Sequence, residues 1–394
     1  MIKSEYMQAL QKKLEKFNRE LQMEIMDDYE QHFAEGLAAG RTEDEIIEEL
    51  GNIEDMISEL PEEDIRQEIS VPQETDTEKK IYSAGYSAVV IDGLVADVSV
   101  QNSTDGEIAV EYHNEGDDVQ KQLYTFSQHE EDGVLYLGVR RNDNADYARQ
   151  AKRAVKFMLF GRSYEFNVNN SRGGEDSEIS LTVGIPAGMQ RVEASTGSGN
   201  LEIEGINVVQ LNAHTKSGEL IIRDVKAERM NMKTGSGDLE GEQLTADELR
   251  MQTGSGDLDI SGITAGSMAC QTGSGDIDAG KIRGRKAVVQ CGSGDIDFEG
   301  DFEEYVVRSG SGDVGMRVGS RAKAVVAETG SGDLDIDLGK VQDPSIKAHT
   351  GSGECYVYSA DGARRRVSSR YTVGNGDCQV EISTGSGDAE VRCC

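Results

Sequence analysis

Thr272-Gly273-Ser274-Gly275-Asp276 is followed by the apolar Ile277, and this spelling returns again and again through the C-terminal half of the chain. With the acidic or amide residue as position 0, copies fall at Asn200, Glu219, Asp238, Asp257, Asp276, Asp295, Asp313, Asp333, Glu354, Asp377 and Asp388. The first five steps, from Asn200 to Asp295, are equal, and the later ones drift, the last being the shortest. A unit this small cannot bury its own apolar side chains, but stacked neighbours can bury one another's. Position +1 (Leu239, Leu258, Ile277, Ile296) and position +3 (Ile222, Ile260, Phe298, Ile336) alternate with polar residues, as on a strand with one face inward. Position +6 (Ile206, Val225, Leu244, Ile263, Ile282), position −8 (Leu211, Met230, Leu249) and position −6 (Ala213, Met232, Met251) are apolar again. Each unit therefore reads as two short strands and two turns. The chain is expected to be mainly β, a single-stranded β-solenoid of about 19 residues per rung, with rungs about 4.8 Å apart. Propeller blades need repeats of about 40 residues.

The corner itself carries further expectations. Gly273 and Gly275 flank Ser274, and a sharp bend there predicts positive φ at the glycines. Lys216 in place of the first Gly, and Asn375 in place of the Ser, should deform their corners. Thr272 should form a hydroxyl ladder along the stack. Asp257, Asp276 and Asp295 would stack as one carboxylate column, and Asp259, Asp278 and Asp297 as a second. Unit charges about 4.8 Å apart repel by roughly 0.9 kcal/mol even in water. The leading expectation is that each position-0 Asp accepts hydrogen bonds from N–H groups of its own turn, with solvent screening the remainder. The lesser one is a Ca²⁺ ladder on these six Asp residues, since Ca²⁺ favours several oxygen ligands. The spelling is similar to that of calcium-binding β-rolls, but those repeat about every nine residues.

Residues 1–60 read as helices. Ile2, Tyr6, Leu10, Leu14 and Phe17 share one helical face, as do Leu21, Ile25, Tyr29, Phe33 and Leu37. Thr42 with Glu45 makes a capping box, and Pro61 closes the unit. Asp28-Tyr29-Glu30-Gln31-His32-Phe33, then Gly36 and Gly40, then Thr42 through Gly51 (TEDEIIEELG), resembles the HAAS domain. The residues make this segment acidic, and the resemblance implies a small α-helical bacterial module associated with signalling. Members are often encoded beside PadR-type transcriptional regulators and often fused to membrane spans. A PadR-type regulator is thus the protein partner it suggests.

Residues 61–80 are polar and aperiodic and read as a linker. Residues 81–394 form the solenoid domain, with irregular opening strands over 81–190 and regular rungs over 191–394. Within the opening section, residues 140–162 hold seven basic and two acidic residues. They are read as an amphipathic helix that caps an open end of the stack. Contact with anionic lipid through Arg149, Lys152, Arg153 and Phe157 is the lesser reading. The repeated T-G-S-G-D-[LI] rungs, entered through Leu181-Thr182-Val183-Gly184-Ile185-Pro186, are similar to the bacterial putative-adhesin β-strand-repeat family that includes LiaG-like proteins. That resemblance implies a β-solenoid found in envelope-stress and signalling contexts.

The net charge is −33, from 73 acidic and 40 basic residues, which speaks against direct nucleic-acid binding. The N-terminus has no signal-type apolar region and no run is long enough to span a membrane, so a cytoplasmic location and mostly reduced cysteines are expected. Cys355 and Cys378, both at position +1, read as small core residues. The redox state of Cys393 and Cys394 is left open. His32, His113, His129, His214 and His349 stand in no catalytic spacing, and no phosphate loop follows the Gly-rich corners. The chain is expected to need no cofactor and to be a non-enzymatic scaffold or signalling-associated interaction protein. The alternatives are an exported surface adhesin and a calcium-dependent binder.

Overall fold

In the computed structural model the described residues are 3–14, 25, 26, 29, 32, 33, 41–50, 53, 77–142 without 84 and 117, 155–159, 162–166, and 178–393 without 369 and 374. The chain divides into two compact units, Met1–Glu74 with Ala151–Asn169, and Thr75–Gln150 with Asn170–Cys394.

In the first unit, helices span Lys3–Leu14 and Glu43–Leu50. Their apolar positions at three- and four-residue steps bury together with Ile25, Tyr29 and Phe33 in one cluster around Leu10, Leu14 and Ile46. Tyr6 stacks on Tyr29 at 6.2 Å and meets Phe33 edge-on at 6.1 Å. The capping box forms as expected. The Thr42 amide donates to Glu45 Oε2 at 2.8 Å, and the Glu45 amide donates to Thr42 Oγ1 at 3.3 Å. These bonds to Thr42 hold the Glu45 carboxyl below its ordinary range.

The basic segment is not a helix where it is described. Val155–Leu159 and Arg162–Phe166 pair as an antiparallel hairpin, with Phe157 opposite Tyr164. Val155 and Leu159, four residues apart, fit both a helical period and a period of two, whereas Phe157 fits only the latter, so the short apolar run does not fix a helix. Arg149, Lys152 and Arg153 lie outside the described residues. The hairpin belongs to the first unit, so the repeat domain is interrupted at 151–169. Of the stretch read as linker, residues 61–76 lie outside the described residues, and Thr77–Tyr82 is a strand.

The second unit is mainly β and solenoid-like, built on two parallel ladders. In one, Met189–Thr196, Val208–Thr215, Lys226–Lys233, Thr245–Gln252 and Thr264–Thr272 follow each other. In the other, Leu201, Leu220, Leu239, Leu258, Ile277 and Ile296 stand in register, one from each successive rung. Ile296 then meets Val314, and Val314 meets Leu334. The inward columns close a continuous core in which Leu201, Ile203, Leu220 and Ile222 are fully buried. Where the even spacing first breaks, an aromatic plug fills the difference. Phe298, Phe302 and Tyr305 pack with centroids 5.7 to 6.1 Å apart. The Tyr305 hydroxyl donates to Gly300 O at 2.7 Å and accepts from the Phe302 amide at 2.8 Å.

At both ends the stacking order departs from the chain order. Ala88–Asp92 lies between Met189–Thr196 and Val134–Arg141, and Asp97–Asn102 lies between Leu201–Glu204 and Ile179–Ile185. At the far end, Cys378–Thr384 lies between Ala324–Thr329 and Pro344–Thr350. Ala389–Arg392 likewise lies between Leu334–Asp337 and Cys355–Tyr358. The last rung in sequence is thus inserted beneath the one before it. Cys355 and Cys378 are therefore not equivalent: Cys355 stands beside Ala389, and Cys378 beside Pro344. Asp377 is not a corner residue, because Asn375-Gly376-Asp377 copies the spelling just before a strand of the other ladder. The outer edges are covered by antiparallel strands, Tyr124–Glu131 and Ile108–Asn114 at one end and Arg364–Arg366 and Arg370–Thr372 at the other.

The corner glycines have a different cause from the one expected. Neither Gly273 nor Gly275 has positive φ; left-handed residues sit instead at position +5, at Gly205, Asp224, Gln243, Gly262 and Lys281. What the corner requires is close approach. A Cβ on Gly275 would lie 2.0 Å from Gly256 O in the rung below, and one on Gly273 would lie 2.3 Å from Gly254 O. At Lys216 the backbone contact is kept, but the Thr215 hydroxyl turns to Gly218 O of its own turn, at 2.7 Å. The Lys216 amide reaches Thr196 O at 3.2 Å, as the Gly235 amide reaches Thr215 O at 3.2 Å. Thermal unfolding of two variants should separate the causes. Gly275→Ala is expected to cost about 3 kcal/mol or more, through a backbone clash that no rotamer relieves. Gly205→Ala, at φ 69° with nothing near its Cβ, should cost only about 1 kcal/mol. Equal costs would contradict this account.

Candidate functional site

The one surface the sequence singled out is the acidic corner, and the stack places its six Asp residues as expected. Asp257, Asp276 and Asp295 line one exposed column, and Asp259, Asp278 and Asp297 pair in register in a second. The bonding differs from the expectation. Each position-0 carboxylate reaches the next rung rather than its own turn. Asp238 Oδ1 accepts from the Asp257 amide at 2.8 Å, Asp257 from Asp276, and Asp276 from Asp295, each at 2.8 Å. The series continues through Asp313, Asp333 and Asp388 to the Glu354 amide, again at 2.8 Å. A charge-assisted bond at every step opposes the repulsion between like charges. Among the described residues the series skips the Asp238 amide, whose neighbour below is Glu219. The extra methylene carries that carboxylate past the short return path an Asp can make.

Thr272 braces the same corner from inside. Its buried hydroxyl donates to Gly256 O at 3.0 Å and accepts from the Gly275 amide at 3.1 Å. Thr234, Thr253, Thr329 and Thr384 repeat the pattern, and Ser309 substitutes for Thr. Cys291 does so with sulfur, at 3.2 Å from Gly275 O and 2.9 Å from the Gly294 amide.

The ladder has a member that the sequence reading missed. Asp97 Oδ1 accepts from the Asn200 amide at 2.7 Å, and Asn200 Oδ1 from the Glu219 amide at 2.9 Å. Asp97 lacks the preceding Gly-Ser-Gly, and only the apolar pair Val98 and Val100 marks it as position 0.

On the second column, loss of solvation raises the Asp259 carboxyl above its usual range, with Asp278 and Glu240 adding like charge. Arg223 relieves the same column lower down, 3.1 Å from Glu202 and 2.9 Å from Glu240. Glu219, Asp238, Glu240, Asp257 and Asp259 surround a shallow open dip. A longer groove runs along positions +7 to +9, floored by Val208, Ala227, Ala246, Ala265 and Gly284. Among the described residues, no three His, Cys, Asp or Glu side chains converge as a metal-ligand set. Burial pushes the Cys270 thiol up to about 12 and those of Cys355 and Cys378 up to about 11, so these three are neutral core residues. Cys393 is buried as well, and Cys394 lies outside the described residues. His113 bridges Thr77 and Glu111 at 2.9 Å each, and His129 stacks on Tyr136 at 4.3 Å. No described helix is long and apolar enough to cross a membrane.

The architecture and its corner define a parallel β-repeat protein whose rungs are locked through glycine contacts and Asp-to-amide bonds. The chain belongs to the family described as Toastrack DUF4097, whose profile matches residues 86–297 and 241–392. The profile described as HAAS matches residues 5–59. Both matches agree with the resemblances read from the sequence. Similar solved structures include a putative adhesin from Bacteroides fragilis, at 12% identity over 80% of this chain and 97% of that one, with a TM-score of 0.36. A putative adhesin from Parabacteroides merdae is 11% identical over 80% and 97%, with a TM-score of 0.35. A putative lipid binding protein from Parabacteroides distasonis is 15% identical over 67% and 97%, with a TM-score of 0.32. No curated protein matches the chain.

Two sets of variants test the ladder. Asp276→Asn keeps an acceptor at the same reach and should leave the melting temperature nearly unchanged. Asp276→Ala should cost about 1–2 kcal/mol, and Asp276→Glu should resemble Ala rather than Asn. A carboxyl raised by folding favours the folded state below its unfolded pKa and loses that contribution as pH rises through the folded pKa. Asp259→Asn should therefore raise the melting temperature at pH 7, and the gain should fade as pH falls through the raised pKa that Asp259 has in the folded state. A gain independent of pH would refute the electrostatic cause.

Proposed function

We propose that this chain is a non-enzymatic, signalling-associated interaction protein that works inside the cell. Its small all-α domain in residues 1–60 docks a protein partner. Its single-stranded solenoid, about 19 residues per rung, presents an extended acidic surface. The observation that carries this reading is the HAAS match over residues 5–59, joined to a repeat family in the same chain. The partner that the module's usual setting suggests is a PadR-type transcriptional regulator. The acidic columns support a role in presentation rather than turnover. From Asp257 to Asp297 the same pair of acidic positions recurs on three successive rungs, and the Oδ1 atoms of Asp257, Asp276 and Asp295 are committed to holding the stack. A glycosidase needs two carboxyls with distinct environments, one acid and one base or nucleophile. Here each rung offers its neighbour's arrangement again.

The test is co-purification with a PadR-type regulator from the same genome. The full chain should retain the regulator, and a chain lacking residues 1–60 should lose it while its melting transition persists. Equal retention by both, or none by the full chain, would count against the docking role. Cell fractionation addresses location: recovery at the cell surface, accessible to added protease, would favour the adhesin reading. Equal melting temperatures in Ca²⁺ and in chelator are expected, and an upward shift in Ca²⁺ would favour a calcium-dependent binder.

A further inference from the structure

We propose that the C-terminal rung, residues 378–392, is exchangeable, and that the slot it fills accepts the same segment from a second copy of this chain. The slot is framed by Ala324–Asp337 on one side and Pro344–Tyr358 on the other. The segment pairs in parallel with both, through Ala327↔Ile382↔Ala348 in one ladder and Ile336↔Val391↔Val357 in the other. It is held by the same devices as every interior rung. The Asp388 amide donates to Asp333 Oδ1 and the Glu354 amide to Asp388 Oδ1, both at 2.8 Å. Thr384 donates to Gly332 O at 2.9 Å.

What sets this rung apart is its place in the chain. Residues 344–358 are synthesised before it, and they carry Thr350-Gly351-Ser352-Gly353-Glu354, the corner that would stack directly on Thr329-Gly330-Ser331-Gly332-Asp333. Filling the slot therefore requires a late insertion between two rungs whose corners already match. Two features favour the inserted order once it forms. Position 354 is Glu, which at Glu219 fails to serve the amide above it, and in the inserted order Glu354 is last and has none to serve. The outer edge of Pro344–Tyr358 is also free to pair with Arg364–Arg366 and Arg370–Thr372. A segment from another copy would satisfy every one of these bonds equally. The swapped and closed forms then differ mainly by the entropy of association and by the path of residues 373–377. Fully extended, the five residues 373–377 span at most roughly 18 Å. High protein concentration during folding, before the slot fills in cis, should favour exchange.

The experiment uses full-length chains with the six native cysteines replaced, Cys291 by Thr and the others by Ala. Asp335 and Glu390 are in-register neighbours across the insertion and lie on the outer face, so cysteines there leave the core intact. A chain carrying both Asp335→Cys and Glu390→Cys should form a disulfide within one chain, with an unchanged circular dichroism spectrum. Asp335→Cys chains co-refolded with Glu390→Cys chains should give a disulfide-linked dimer that grows with concentration during refolding. It should be absent when the two folded proteins are simply mixed. If the double variant cross-links in cis but co-refolded chains never link, the exchange is overturned. If instead Asp335→Cys links to Tyr356→Cys within one chain, residues 344–358 stack directly on 324–337, the slot does not exist, and the proposal falls with it.

Discussion

The repeat depends on how closely one turn of the backbone lies over the next. At Gly275 the distance from an added Cβ to the carbonyl below would be 2.0 Å, and the same approach recurs at Gly237, Gly256, Gly294 and Gly312. No side chain larger than hydrogen fits there, so glycine is a contact requirement and not a bending one. That approach in turn places each amide within reach of the carboxylate below it. It also places the hydroxyls of Thr234, Thr253, Thr272, Thr329 and Thr384 between a carbonyl of one rung and an amide of their own. The apolar columns supply the bulk of the burial, and the corner fixes the register in which they meet.

Electrostatics follows from the same geometry. A column of like charges is unfavourable on its own. Here the first column turns its charge into an acceptor for the adjacent backbone, while the second column has no such outlet. Asp259 accordingly carries the raised carboxyl, and the column recovers neutralisation only where a cation reaches it, as Arg223 does near Glu202 and Arg392 does near Asp335. The two columns look alike in sequence and are held quite differently.

The strands and their inward faces were legible because period-two alternation is a local property: Leu258, Ile260 and Ile263 announce their burial within a single short stretch. The capping box at Thr42 and Glu45 was legible for the same reason. What escaped was set between rungs. The role of Gly273 and Gly275 depends on a neighbour a full rung away along the chain, and nothing inside the pentapeptide separates close approach from a left-handed turn. Asp377 was misplaced because Gly-Asn-Gly-Asp-Cys-x-Val spells a corner while its strand pairs in the other ladder. Asp97 was overlooked for the opposite reason, a corner without its spelling. The segment at 140–162 failed on a known ambiguity, since Val155 and Leu159, four residues apart, satisfy both periods and only Phe157 between them favours a strand. The chain-order assumption held through the regular middle of the stack and broke at both ends, where strands return to cover exposed edges.

The ladder of carboxylates and amides also has a direction. Through the middle of the stack, every carboxylate serves the amide of the rung that follows and none serves the rung that precedes. Injury to the stack is therefore one-sided. An altered Asp leaves the turn beneath it whole and loosens only the turn above, so the structure is vectorial, with a supporting end near Asp97 and a supported end near Glu354.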